Sequence, residues 1–338
     1  MRKDINVLST FDGIATGLVA LKELGYTPNY YSSEIEEGAM SVAMKNHPEI
    51  IKLGDVTKVA FSNGILYRKE YSDYLGRDIR FEERPIGQID LLIGGSPCND
   101  LSQQHQVREG LKGQYSSLFY HYRRLKEETN PKYFLLENVK MSRKDQDEIT
   151  ELLGVEPVNI NSELVSAQRR ERLYWTNIPN ITQPEDRHIL FQDIIESGFV
   201  NKDKSNCVTE SMSRQVATPG GVRRYMMGFG TYVFESKEEY ERIVGKTDEE
   251  RIAYSKYMRS LPNSKGLIEH VHTPKARMVT PNEAEALQTL PKDYTYVEDF
   301  YYSSKGYNKN RGDAKRLSIL GEGWTKDVIV HIFKNMEF

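Results

Sequence analysis

Leu91-Leu92-Ile93-Gly94-Gly95-Ser96-Pro97-Cys98-Asn99-Asp100 runs from an apolar segment into a tight turn that ends in Pro-Cys. A short apolar run closed by glycines reads as a buried strand. In open α/β sheets, ligands gather just beyond the carboxyl ends of such strands. Pro97 stiffens the backbone before Cys98, which gives the thiol the setting of a nucleophile. The same residues equally fit a cysteine that is only a small buried hydrophobe. The rest of the chain has to decide between them.

On either side of this stretch the first half alternates short apolar strands with amphipathic helices. Residues 5–8, 30–33, 90–94, 133–136 and 173–175 read as strands, and 16–24, 38–46, 117–128 and 143–153 as helices. That alternation predicts an α/β fold, a parallel sheet with helices on both faces. Between about 196 and 279 the rhythm fails. A Ser/Thr/Gly/Arg-rich stretch around Thr218-Pro219-Gly220-Gly221-Val222-Arg223-Arg224 is followed by a charged helical segment near 236–259, which marks a candidate second domain. Residues 64–88 form a polar, charge-rich excursion read as an insertion, with no role assigned.

With 338 residues the chain can bury a large core. Two cysteines, Cys98 and Cys207, cannot build a disulfide framework, and neither has neighbours at zinc spacing, so no metal is expected. The N-terminus enters a strand pattern without a signal-peptide run, and no stretch is long enough to span a membrane, so the chain is read as soluble and intracellular. A net charge of −3 argues against nucleic-acid binding over the whole surface. Residues 201–280, however, carry 14 Lys/Arg against 10 Asp/Glu, leaving the remainder at −7.

Several residues at predicted strand ends carry recognisable chemistry. Phe11-Asp12-Gly13-Ile14-Ala15-Thr16-Gly17 is a glycine-containing turn into a helix, where backbone can approach a nucleotide-like ligand, although it lacks the full G-x-G-x-x-G spacing. Glu34 is placed to accept hydrogen bonds from a ribose, and Asp55 from an adenine amino group; each alone also fits an ordinary loop carboxylate. Glu137-Asn138-Val139 follows the strand at 133–136 and brings a carboxyl group to the sheet edge of Cys98, as an acid or as part of a cap or ion pair. In Gln168-Arg169-Arg170-Glu171-Arg172, an extended backbone points Arg170 and Arg172 the same way, toward a carbonyl or phosphate, or simply toward solvent.

Taken in order, these motifs, with Arg277-x-Val279-Thr280-Pro281-x-Glu283, resemble the DNA (cytosine-5) methyltransferase family from residue 5 to about 333. The glycine turn, Pro97-Cys98-Asn99-Asp100-Leu101-Ser102 and Leu320-Gly321-Glu322-Gly323-Trp324 look closest to the eukaryotic de novo (type 3) enzymes. Many bacterial members have instead Pro-Cys-Gln and a C-terminal Gly-Asn-Ser.

The resemblance implies a Rossmann-like S-adenosylmethionine-dependent methyltransferase sheet with a smaller inserted target-recognition domain. On that reading 1–195 is catalytic and cofactor-binding, 196–279 recognises the target, and 280–338 returns to the catalytic domain. Cys98 is implied as the nucleophile on carbon 6 of cytosine, Glu137 at ring nitrogen 3, Arg172 at the ring carbonyl and Arg170 in support. The cofactor, leaving as S-adenosylhomocysteine, is expected against Phe11, Asp12, Gly13, Ile14, Thr16, Glu34, Ile35, Asp55, Val56, Pro97 and Trp324. A base inside a duplex must be flipped out to react. The polar, glycine-terminated loop 102–110 is read as a closing lid. Ser102 and Gln104 are expected at the DNA, Gln104 filling the gap the base leaves, and Arg223 and Arg224 are presented by the Pro-Gly-Gly turn. Duplex DNA, a cognate restriction endonuclease encoded elsewhere, a monomeric state and the cytoplasm of a bacterial or phage-infected cell complete the expectation. A nucleotide-dependent oxidoreductase would use the glycine turn and Glu34 equally well but gives Pro97-Cys98 and Glu137-Asn138 no task. A catalytically dead regulator sits poorly with intact Cys98, Glu137 and Arg172.

Overall fold

The apolar runs become the inner strands of a sheet, and their polar ends become its rim. The computed structural model describes residues 3–73, 77–97, 113, 116–209, 231–260, 275–304 and 306–338, without the side chains of 258 and 259. Cys98, Ser102, Gln104, Arg223 and Arg224 lie outside the described residues. The chain divides into two units, 1–161 with 171–185 and 324–338, and 162–170 with 186–323.

In the first unit, β1 (Asp4–Thr10), α1 (Thr16–Glu23), β2 (Thr27–Ser33), α2 (Glu37–Asn46) and β3 (Ile51–Lys52) open the chain. Then follow β4 (Val59–Ser62), β5 (Ile65–Ser72), β6 (Arg77–Pro85), β7 (Leu91–Gly94), α3 (Phe119–Thr129), β8 (Tyr133–Val139), α4 (Arg143–Leu153), β9 (Pro157–Asn161) and β10 (Glu171–Thr176). Among the described residues the main sheet has the order β3-β2-β1-β7-β8-β10-β9. Every neighbouring pair is parallel except those of β10, which runs against both β8 and β9. Strand order reverses between β1 and β7, the point where such sheets open a crevice.

Leu8, Leu92, Leu136 and Trp175 of the sheet form one buried cluster with Phe119, Tyr122 and Leu125 of α3 and Ile149 and Leu153 of α4. α4 begins and ends on local chemistry. Ser142 caps it by accepting from Asp145 N at 3.2 Å, and Gly154 takes the left-handed C-terminal conformation at φ 74°. The predicted helix 117–128 begins instead with a 3₁₀ turn at Ser116–Leu118. The polar excursion is a β-hairpin, β5 against β6, which joins β4 in a three-stranded antiparallel sheet. Arg124 of α3 anchors it by donating to Val59 O at 2.7 Å.

The second unit contains α5 (Phe191–Ile194), β11 (Val233–Phe234), α6 (Lys237–Val244), α7 (Asp248–Ser260), β12 (Ala276–Arg277), α8 (Pro281–Leu287) and α9 (Lys309–Glu322). Tyr232, Phe234, Tyr240, Ile243 and Val244 form a small core of their own. Thr280 and Glu283 close a capping box at the start of α8, with Pro281 in its first turn. Arg277 grips the buried Glu283 at 2.7 and 2.8 Å. α10 (Lys326–Phe333) belongs to the first unit, where it packs against α1. No described helix is long and apolar enough to cross a membrane.

Gly94 closes the central strand where no side chain fits. A Cβ there would stand 2.4 Å from Thr10 Oγ1 and 2.9 Å from the Tyr122 ring. Gly94→Ala is therefore expected to destabilise the first unit by about 1–3 kcal/mol through overpacking. Urea denaturation would show it as a lower midpoint with an unchanged slope.

Candidate active site

Strand register sets out the site. Thr10 pairs with Ser33 and with Gly94, and Gly94 pairs with Leu136. The next residues along these four strands are Phe11, Glu34, Gly95 and Glu137, so one rim of the sheet collects them.

Phe11, Gly13 and Ala15 all have left-handed backbone, with φ of 54°, 58° and 60°. For Phe11 and Ala15 that conformation is strained, and strain of this kind survives only where its surroundings over-determine it. Here the surroundings do so. Ser33 O accepts from Phe11 N at 2.8 Å, and Glu34 Oε2 accepts from Gly13 N at 2.8 Å. The Asp12 carboxylate accepts from Ser9 Oγ, Tyr30 Oη and Ser32 Oγ at 2.5, 2.6 and 2.7 Å. Burial, with a smaller push from Glu34, raises the Asp12 pKa to about 6 despite those three donors.

Ile14 and Thr16 are buried behind this turn. Glu34 also accepts from Ile35 N and Glu36 N, at 2.7 and 2.8 Å, and Ile35 itself is 72% exposed. Ser33 Oγ donates to Gly54 O at 2.7 Å and ties in the next segment, in which Asp55 accepts from Thr57 N and Val56 is buried. The expected cofactor residues from Phe11 to Val56 thus form one connected rim.

Glu137 is only 8% exposed. Arg172 Nε donates to its Oε1 at 2.9 Å, and the Trp324 indole N–H donates to its Oε2 at 2.9 Å. Asn138 Nδ2 donates to Ser96 O at 3.2 Å and to Ser96 Oγ at 3.1 Å, which fixes the turn that carries Pro97. Sequence reading had given Asn138 no task of its own. Its place in Glu-Asn-Val beside a Ser-Pro turn was the available signal.

Arg170 and Arg172 take different partners. β10 begins at Glu171, so Arg170 precedes the strand. Within the second unit Arg170 donates to Gly323 O at 2.7 Å, to Val208 O at 3.3 Å and to Cys207 Sγ at 2.9 Å. Arg170 as a whole is 4% exposed, and its guanidinium ties these carbonyls together.

The family model of C-5 cytosine-specific DNA methylases matches residues 5–305. The chain belongs to that family. Among its relatives, orphan methyltransferase M.Rho11sI of Bacillus phage rho11s is 25% identical over 90% of this chain and 56% of its own length. The type II methyltransferase M.SsoII of Shigella sonnei is 25% identical over 68% of this chain and 62% of its own. Rice DRM1A is 34% identical over 36% of this chain and 24% of its own. The chain thus spans about half the length of the phage relative and a quarter of the plant one. The fold is shared with the methyltransferase EhMeth of Entamoeba histolytica, with a TM-score of 0.62 and 14% identity over 99% of this chain and 98% of that one. A DNMT2 variant from Spodoptera frugiperda gives 0.58 and 16% over 98% and 99%.

Asp12 carries a pH dependence that can be signed. Its folded pKa is about 6 and its ordinary value 3.8, so between those limits the folded state holds more protons and stability falls as pH rises. Across pH 4 to 6 this group should withdraw roughly 2–3 kcal/mol, all of it lost above pH 6. Asp12→Asn should flatten that part of the stability profile, as measured by chemical denaturation at stepped pH.

Proposed function

We propose that the chain is a DNA (cytosine-5) methyltransferase, moving a methyl group from S-adenosylmethionine to carbon 5 of a cytosine flipped out of duplex DNA. The observation that carries the reading is the buried Glu137, clamped by Arg172 at the rim where Asn138 holds the turn leading to Cys98. Membership of the family supports it.

S-Adenosylmethionine fits the first part of the rim. A strained turn at the sheet's switch point, the Glu34 carboxylate and the exposed apolar Ile35 suit an adenosine ligand. Phe11, Glu34, Ile35, Asp55, Val56 and Trp324 would hold it. When bound, it supplies an electrophilic methyl group.

Carbon 5 of cytosine is a weak nucleophile. Addition of the Cys98 thiolate to carbon 6 turns the ring into an enamine that can attack that methyl group. Glu137 faces ring nitrogen 3 and exchanges a proton there, while Arg172 holds the carboxylate and reaches the ring carbonyl. After transfer, loss of the proton from carbon 5 expels Cys98 and restores the ring. The segment 196–279 takes the role of target recognition, with Arg223 and Arg224 on the DNA, and Ser102 and Gln104 act at the flipped base. The bacterial and phage relatives support action in the cytoplasm of such cells, and the type II relative supports a partner endonuclease.

DNA carrying 5-fluorocytosine cannot lose its carbon-5 substituent as a proton, so with S-adenosylmethionine it should trap the chain covalently. Cys98→Ala should abolish trapping and methylation while duplex binding persists. Methylation by that variant would overturn the assignment.

Arg223→Ala and Arg224→Ala test the recognition segment. A phosphate contact predicts weaker binding to all duplexes and a salt slope smaller by about 0.9. A guanine contact predicts a loss of about 1–3 kcal/mol at one position of the site. Binding unchanged in both variants would remove this tip from the interface.

A further inference from the structure

Trp324 lies beside Glu137, Gly95 and α1. Its N–H donates to Glu137 Oε2 at 2.9 Å. Its ring lies against Gly95, where a Cβ would stand 3.0 Å from Trp324 Nε1 and 3.1 Å from Glu137 Oε2. A Cβ on Gly17 of α1 would stand 3.6 Å from Trp324 Cζ3. The resemblance had given this residue one task, packing against the cofactor.

We propose that Trp324 is also a positioning residue, which fixes the plane of the Glu137 carboxylate for its meeting with the cytosine ring. The inference rests on the proposed function. A glutamate side chain ends in a broad, weakly restrained torsion. Arg172 secures Oε1, and a single donor leaves the carboxylate free to swing about that contact. A second donor on Oε2, carried by a rigid bicyclic ring, removes that freedom. Indole suits the task because its N–H donates without accepting or titrating, so it adds direction without charge. Gly95 is part of the device, since any side chain there would press on both atoms of the bond.

Trp324→Phe keeps an aromatic ring and deletes the donor. In the full chain, kcat for methylating cytosine in duplex DNA should fall about tenfold or more, as expected for a lost hydrogen bond to a charged group. The Kd for duplex DNA should stay within about twofold, and any rise in the Kd for S-adenosylmethionine should be smaller than the fall in kcat. A wild-type kcat, or a loss confined to cofactor affinity, overturns the positioning role. Should Trp324→Phe fail to fold, Gly95→Ala pushes on the same bond from the opposite side and decides the matter by the same split between kcat and cofactor affinity. A wild-type chain that methylates no cytosine refutes the proposed function, and this role with it. An active wild type with an unimpaired Trp324→Phe refutes the positioning role alone.

Discussion

A carboxylate taken out of water must be paired and hydrogen-bonded or it costs several kcal/mol, and Glu137 meets that condition with donors from two distant parts of the chain. Arg172 comes from the reversed strand. Tyr174 sits opposite Glu137 and Arg172 opposite Val139, so the arginine is the diagonal neighbour of Glu137 on the same face. An antiparallel β10 between β8 and β9 supplies that diagonal. Trp324 arrives from 187 residues further along and brings α10 and the C-terminus with it into the first unit.

The other end of the rim solves the opposite problem. There the backbone, not a side chain, is held in an unfavourable state, and neighbouring carboxylates hold it. Asp12 gathers three hydroxyls from β1 and β2 and so locks the base of the turn, while Glu34 caps Gly13. Burial of the Asp12 carboxylate raises its pKa to about 6, and the three hydroxyls offset only part of that rise. Backbone strain kept in this way clusters at functional sites, where geometry counts for more than stability.

Much of this was legible in the sequence because a buried parallel sheet writes itself as apolar runs with functional residues at their ends. Ile5, Leu8, Leu91–Ile93 and Leu135–Leu136 are fully buried or nearly so, and the acidic residues just past such runs are the ones at the rim. The hairpin at 65–85 was unreadable as strands because its outer strand is exposed along most of its length, so no alternation was imposed on it. β9 hid for a related reason: it is an edge strand opening with Pro157, a residue tolerated at an edge and discouraged inside a sheet. Spacing by two suggested that Arg170 and Arg172 act together. Arg172 reaches Glu137, whereas Arg170, just before β10, donates to Gly323 O and Cys207 Sγ. The bond from Trp324 to Glu137 has no local signature at all, since it depends on where the chain's last segment returns.

The basic bias of 201–280 gains meaning once the described cations are followed to their partners. Arg242 pairs with Glu239, Arg251 with Asp248, Arg277 with Glu283 and Lys275 with Glu235. Lys204 spends its ammonium on the carbonyls of Glu163, Ser166 and Ile189. Each of these cations has its partner within the second unit. Between residues 211 and 234, by contrast, the sequence contains Arg214, Arg223 and Arg224 and no Asp or Glu. A stretch whose sequence carries net positive charge is what a polyanionic duplex attracts. That sequence balance supports the proposed place of DNA recognition without resting on any single arginine.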